Sequence, residues 1–352
     1  MQRPFLCALA IAAALGLSGA MAGSARAQAV DLNYDRLSSL EEPIAYEFAN
    51  ITFVLNGVAD APVFVEFDDV TGGDDPRIEP EFIANFQVSA ETQLSNRWDI
   101  GVTYFGQYST DPTLAFPGGP SGQDDYSDNV AGFVRTSFGT VIGGNTADQI
   151  REFTRRQRGV GNAFLAFDDF HGQLARWGGA YIGRFGPSRI GVVVDENGDF
   201  EVGSVFQRPI GQRDLRFSGR VRQGQFVAAD GITGYDTTGV AAVGEIVFGS
   251  SVYDLGLGYE KLDGPLGDLD RWFVSSGAQT QLGALRLSGE VHFGETAGQR
   301  ELAAAIGASY DISRGLSLNL GVNGEEARIV ADGVQVIETD QITAIASARY
   351  SF

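Results

Sequence analysis

The chain has 352 residues, and its 45 acidic against 25 basic side chains give a formal charge of −20. That balance excludes nucleic acid as a partner and unaided binding to acidic surfaces. With 47 glycines, 24 phenylalanines and 11 tyrosines, and no apolar run near the ~20 residues of a membrane-spanning helix, it reads as β-rich with frequent tight turns.

The N-terminus carries Arg3, an apolar run from Phe5 to Leu17, and two A-x-A sites at Ala25-Arg26-Ala27 and Ala27-Gln28-Ala29. This is the pattern of a secretory signal peptide over residues 1–27, with cleavage after Ala27 or after Ala29. Cys7 lies inside it, so no disulfide framework is expected afterwards. Residues 30–61 form an N-terminal segment of open role. Within it Ala45–Leu55 reads as a strand, separated by NGVADA from a second strand at Pro62–Asp68. Asp74 and Asp75 stand in the acidic loop that follows. Flexible oxygen-rich loops suit Ca²⁺, but no ordered ligand spacing is present, and solvated surface charge is the competing reading. No other cofactor is implied.

Beyond that loop the alternation is regular. Phe82, Ala84, Phe86, Val88 and Ala90 face one way and Asn85, Gln87, Ser89 and Glu91 the other. Turns at 95–97, 139, 186–188, 208–212, 249–251, 283–284 and 313–315 are short, and the connections between them are mostly longer. Asn197-Gly198 marks a further hairpin. Counting back from the C-terminus gives sixteen strands if Pro62–Asp68 is the first, and Ala45–Leu55 would be a seventeenth. Bacterial barrels have even counts, so that segment is either an extension of the first strand or a piece inside the lumen.

The last strand places Ile342, Ala344, Ala346, Ala348, Tyr350 and Phe352 on one face. Ending on two aromatics suits a lipid-facing girdle. The ending resembles the terminal strand of bacterial outer-membrane barrels, in which a C-terminal Phe belongs to the signal read by the assembly machinery. Tyr350 and Phe352 are that signal by the resemblance. The expected fold is therefore all-β: a transmembrane antiparallel barrel of about sixteen strands over residues 62–352, in the bacterial outer membrane. A soluble sandwich or β-helix shows the same alternation. The signal peptide and the terminal Phe favour the barrel, whose wide lumen is then filled by water.

The stretch NVAGFVRTSFGTVIGGNTADQ resembles the Gram-negative general porins. There a strand ends in Phe-Gly and a short strand enters a third external loop that folds back into the lumen. The resemblance is architectural along most of the chain; its specific motif covers Phe138–Gly144. It implies passive diffusion of small hydrophilic solutes and ions, a homotrimer, and contact with membrane lipid and lipopolysaccharide. It also implies an eyelet between acidic loop residues and basic wall residues. Gly144 and Asn145 stand where the family often has a basic residue, so one wall charge is missing.

The loop Asn145–Gly172 holds Asp148, Glu152, Asp168 and Asp169, with Arg151, Arg155, Arg156 and Arg158 in one block. An inward eyelet loop and an outer loop with solvated charges are the two readings. Wall arginines follow from phase alone. Leu215, Phe217 and Val221 take one face of their strand, and Arg216, Arg220 and Arg222 the other. A lipid-facing arginine costs roughly 2–4 kcal/mol at the midplane, so that face is expected to be luminal. There it either makes a positive field in the eyelet or meets bulk water. Arg176 and Arg184, out of phase with Trp177, Tyr181 and Phe185, join the luminal set.

Catalysis is the competing class, but the chain has only His171 and His292, and no G-x-S-x-G motif. A substrate-selective channel and a mainly structural, adhesin-type surface barrel are the remaining alternatives.

Overall fold

The structure, a computed structural model, describes residues 44–68, 77–110, 126–147, 149–154, 160, 170–211, 213–227, 233–265, 267–331 and 334–351. The expected signal peptide, Asp74, Asp75 and Phe352 lie outside them.

Every named strand pairs antiparallel with its neighbours. The elements are β1 (Ile44–Phe48), β2 (Ile51–Asp68), β3 (Arg77–Pro80), β4 (Ile83–Gln93), β5 (Asp99–Ser109), β6 (Tyr126–Thr136), β7 (Gly139–Asn145), β8 (Trp177–Phe185), β9 (Ser188–Asp195) and β10 (Phe200–Ile210). They continue with β11 (Arg213–Val227), β12 (Gly234–Phe248), β13 (Ser251–Asp263), β14 (Leu269–Leu282), β15 (Leu285–Thr296), β16 (Gln299–Ser313), β17 (Leu316–Ala331) and β18 (Val334–Ser351). These eighteen segments occupy sixteen positions in a closed ring. β3 and β4 lie end to end along one edge of β2, where Val63↔Pro80 continues the register of Asp60↔Ile83. β1 and β18 share the other edge, β1 against Ile51–Leu55 and β18 against Val58–Asp68.

That arrangement decides the N-terminal reading for an extension of the first strand and moves its start. NGVADA does not separate two strands. Gly57 and Ala59 stay extended because Phe86 and Ala84 pair with them, so Ile51–Asp68 is one continuous strand. The barrel wall therefore starts at Ile51, not at residue 62, and the preceding residues Ile44–Phe48 fold back as a short hairpin arm.

Alternation then sorts the side chains. In β12 and β13 exposed and buried residues follow one another almost without exception. Val240, Leu255, Leu257, Ile306, Leu320 and Ile342 point outward and are exposed, while Glu245, Glu260, Arg271 and Asn319 point inward and are buried. Apolar outside and polar inside is the inversion that a hydrocarbon surround demands. Aromatics flank the apolar band: Phe82, Tyr108, Trp177, Tyr259 and Trp272 towards the long loops, and Phe138, Phe248, Tyr253, Tyr310 and Tyr350 towards the short turns.

Seven of the short turns expected from the sequence fall at one end, several on glycines with positive φ (Gly186, Gly211, Gly249, Gly283, Gly315). The long connections fall at the other, together with the tight turns at Asn197-Gly198 and Ala297-Gly298. The third long connection, between β7 and β8, enters the lumen.

Candidate pore constriction

The inward loop leaves β7 at Thr146, makes a 3-10 turn at Arg151–Phe153, and returns through Phe170–Arg176 to β8. Its outgoing limb is apolar on the wall side. Ile150 and Phe153 are fully buried, and Ile150 seats against Gly191 and Gly203 on the inner face of β9 and β10. A Cβ at Gly203 would come within 2.4 Å of Ile150 Cγ2. Arg189 stacks over the Phe153 ring at 4.4 Å, and Arg216 Nη2 donates to the Phe153 carbonyl at 2.9 Å.

The returning limb is held by charge. The backbone N–H groups of His171 and Gly172 donate to the two carboxylate oxygens of Glu260, at 2.9 and 2.8 Å. Arg222 Nη1 donates to the Gly172 carbonyl at 2.8 Å. Gln173 and Gln225 exchange backbone hydrogen bonds at 2.7 and 2.9 Å, and the Ala175 N–H donates to Asp195 Oδ2 at 2.6 Å. Glycines clear the seat. A Cβ at Gly224 would meet the Gln173 carbonyl oxygen at 2.6 Å, and one at Gly239 would meet the Phe170 ring at 2.7 Å. Burial first, and the charge of Arg271 second, hold His171 at about 3. The docked ring is therefore neutral at ordinary pH.

The arginine face of β11 is inward, as its phase predicts, but two of its arginines do not face water. Glu201 on β10 stands opposite Arg222 and accepts from Arg220 Nη1 at 2.9 Å and Arg222 Nη2 at 3.0 Å, with all three side chains at most 3 % exposed. Phe170 lies under both guanidinium groups, 4.5 and 5.8 Å from its centroid. The expected free positive wall at Arg220 and Arg222 is thus corrected to an enclosed pair bridged by one carboxylate beneath the loop. A charge so enclosed is stable only with a partner, and Glu201 is that partner. Arg216, partly open, also lies 3.8 Å from Glu245.

Arg176 pairs with Asp128 at 3.0 Å at the long-loop rim. Arg184 is inward in phase and exposed at the short-turn end, opposite Arg189. Arg151 is buried within the loop's turn, and the Glu152 side chain is not among those described. Asp148, Arg155, Arg156, Arg158, Asp168 and Asp169 lie outside the described residues. Glu201 and Glu260 are the residues sequence reasoning missed. Their inward phase was readable in FEVGSVF and DLGLGYEKL, but not their partners.

The inner wall carries a further charged brace. Arg271 donates to both oxygens of Glu301 at 2.9–3.0 Å, and His292 lies between Glu301 (3.5 Å) and the Ser275 hydroxyl (2.8 Å). Ser275, His292 and Glu301 have the makings of a nucleophile–base–acid chain. Each is at most 1 % exposed, however, and Glu301 is already occupied by Arg271 and Thr296. The group braces the wall.

A sixteen-stranded ring with its third long loop packed inside it decides the comparison with known structures. The fold is that of the Gram-negative outer-membrane porins. A mutant of the Rh. blastica porin superposes with a TM-score of 0.57 at 15 % identity, covering 85 % of this chain and 100 % of its own. The anion-selective porin of Comamonas acidovorans gives 0.60 at 16 % identity, over 86 % and 100 %. OmpT, an outer membrane protein of Vibrio cholerae in its trimer form, gives 0.63 at 12 % identity, over 85 % and 99 %. No protein-family model and no curated protein sequence matches.

Proposed function

We propose that the chain forms a water-filled outer-membrane channel for passive diffusion of small hydrophilic solutes and ions, narrowed by its inward loop. The observation that carries this is the seating of Ile150, Phe153 and Phe170–Gln173 on the inner wall of β9–β13. A loop fixed there constricts a ring of sixteen strands that is too wide for wall side chains to fill. Free solutes then cross a lining of polar groups, where apolar ones cannot replace the hydration they lose.

The outward aromatic bands suit membrane lipid on both sides, and the long loops suit contact with lipopolysaccharide. Tyr350, half exposed on the outward face of β18, belongs to the C-terminal signature read as the assembly signal with Phe352. A homotrimer is the oligomer this reading carries, in line with the trimer form of the Vibrio protein. No catalytic role is assigned.

Liposome swelling with sugars of increasing size tests the proposal. Rapid swelling with a pentose or hexose and none with a long oligosaccharide is the expected result. No swelling from vesicles holding folded barrel would overturn it.

A further inference from the structure

The inner-wall arginines are largely taken up by carboxylates: Arg135 by Glu91 and Asp99, Arg222 by Glu201, Arg271 by Glu301, Arg349 by Asp60. Two that are not so engaged stand on the opposite face. Arg208 on β10 and Arg213 on β11 flank the short turn at Gly211, and both are exposed. Arg208 shares its phase with Phe206 and Ile210, and Arg213 shares its phase with Phe217. All six residues, Phe248 included, are outward. The Arg213 guanidinium lies 5.4 Å from the centre of the Phe248 ring. On the short-turn half of β8–β13 the outward face carries no carboxylate among the described residues, since Asp214, Glu245 and Asp254 all point inward by phase. The long-loop end of the same sector is the reverse: Lys261 is held by Asp263 and Asp268, with Asp236 and Asp270 beside them.

We propose that Arg208 and Arg213 form a headgroup site for an anionic phospholipid of the periplasmic leaflet. The phosphate would lie between the two guanidinium groups, and the acyl chains along Phe206, Phe217 and Phe248. The chemistry fits. Arginine presents paired N–H donors to phosphate oxygens, its stem covers apolar surface while its head reaches the interface, and exposed aromatics mark that interface. Each basic side chain near an anionic surface adds about a fivefold preference. The site rests on the outer-membrane reading above, because the short-turn end is periplasmic only in that setting.

Native mass spectrometry tests it on the full barrel equilibrated with equal phosphatidylglycerol and phosphatidylcholine. Wild-type protein retains phosphatidylglycerol with a preference of roughly tenfold or more. Arg208→Gln/Arg213→Gln brings it near unity, and Arg300→Gln, at the long-loop end, leaves it unchanged. Both arginines are exposed, so heat-modifiability of the double variant confirms folding. Equal retention of the two lipids overturns the proposal. So does a preference that survives the double substitution. Failure of the channel reading shows separately, as absence of solute flux.

Discussion

Glu201 and Arg222 face each other across β10 and β11, and the carboxylate reaches both Arg222 (3.0 Å) and Arg220 (2.9 Å) while fully enclosed. This arrangement turns the most arginine-rich strand of the barrel from a source of pore charge into the foundation of the inward loop. The loop lies on it through Phe170 and Gly172.

Removing the acid is therefore expected to cost more than its own hydrogen bonds. Glu201→Gln leaves two enclosed guanidinium groups without their counter-charge, a loss of about 3–5 kcal/mol for breaking such a pair. Urea unfolding in lipid vesicles measures it. A midpoint unchanged from wild type would show that the arginines find other partners.

The seat at Gly224 makes a second expectation. Any side chain there meets the Gln173 backbone at 2.6 Å, and backbone yields less readily than a side-chain tip. Gly224→Val should lift the returning limb and raise single-channel conductance with the barrel still folded. Unchanged conductance would mean that the limb does not set the width.

His171 ties the dock to pH. Its docked value of about 3 lies below the free-chain value near 6.5, so the undocked ring binds a proton that the docked ring refuses. Docking is fully favoured above about pH 6.5 and weakens as pH falls towards 3. Protease access to the loop should rise over that window in wild type. In His171→Phe that component of the rise should be missing, and identical profiles would remove His171 from the explanation.

How much of this was legible beforehand follows from how local each feature is. The inward phase of Arg216, Arg220 and Arg222 follows from a period of two and the cost of charge in lipid, both confined to one strand. The hairpin at Asn197-Gly198 needs only its own two residues. Glu201's partner depends on the register set by the turn at Gly211, where φ is +65°. Glu260's partners are backbone groups 88 and 89 positions away. Neither relation leaves a trace in spacing. NGVADA misled for the opposite reason. As a short polar interruption it reads locally as a break, and pairing along both edges of β2 overrides it.

The ring closes through another such long-range pair. Arg349 Nε and Nη2 both donate to Asp60 Oδ2, at 3.1 and 2.9 Å, joining β18 to β2 across 289 positions. Asp60→Asn should lower the thermal midpoint, through a loss of stability on the order of 3 kcal/mol for a largely enclosed pair. An unaltered midpoint would show that backbone pairing alone holds the seam.

The most direct test of the account is planar-bilayer recording of the folded, full-length barrel beside Gly224→Val. Stepwise openings in wild type, and larger steps in the variant, are the predicted result. Silence from folded wild-type protein would contradict the open channel, and equal steps in the two proteins would contradict the inward loop as its constriction.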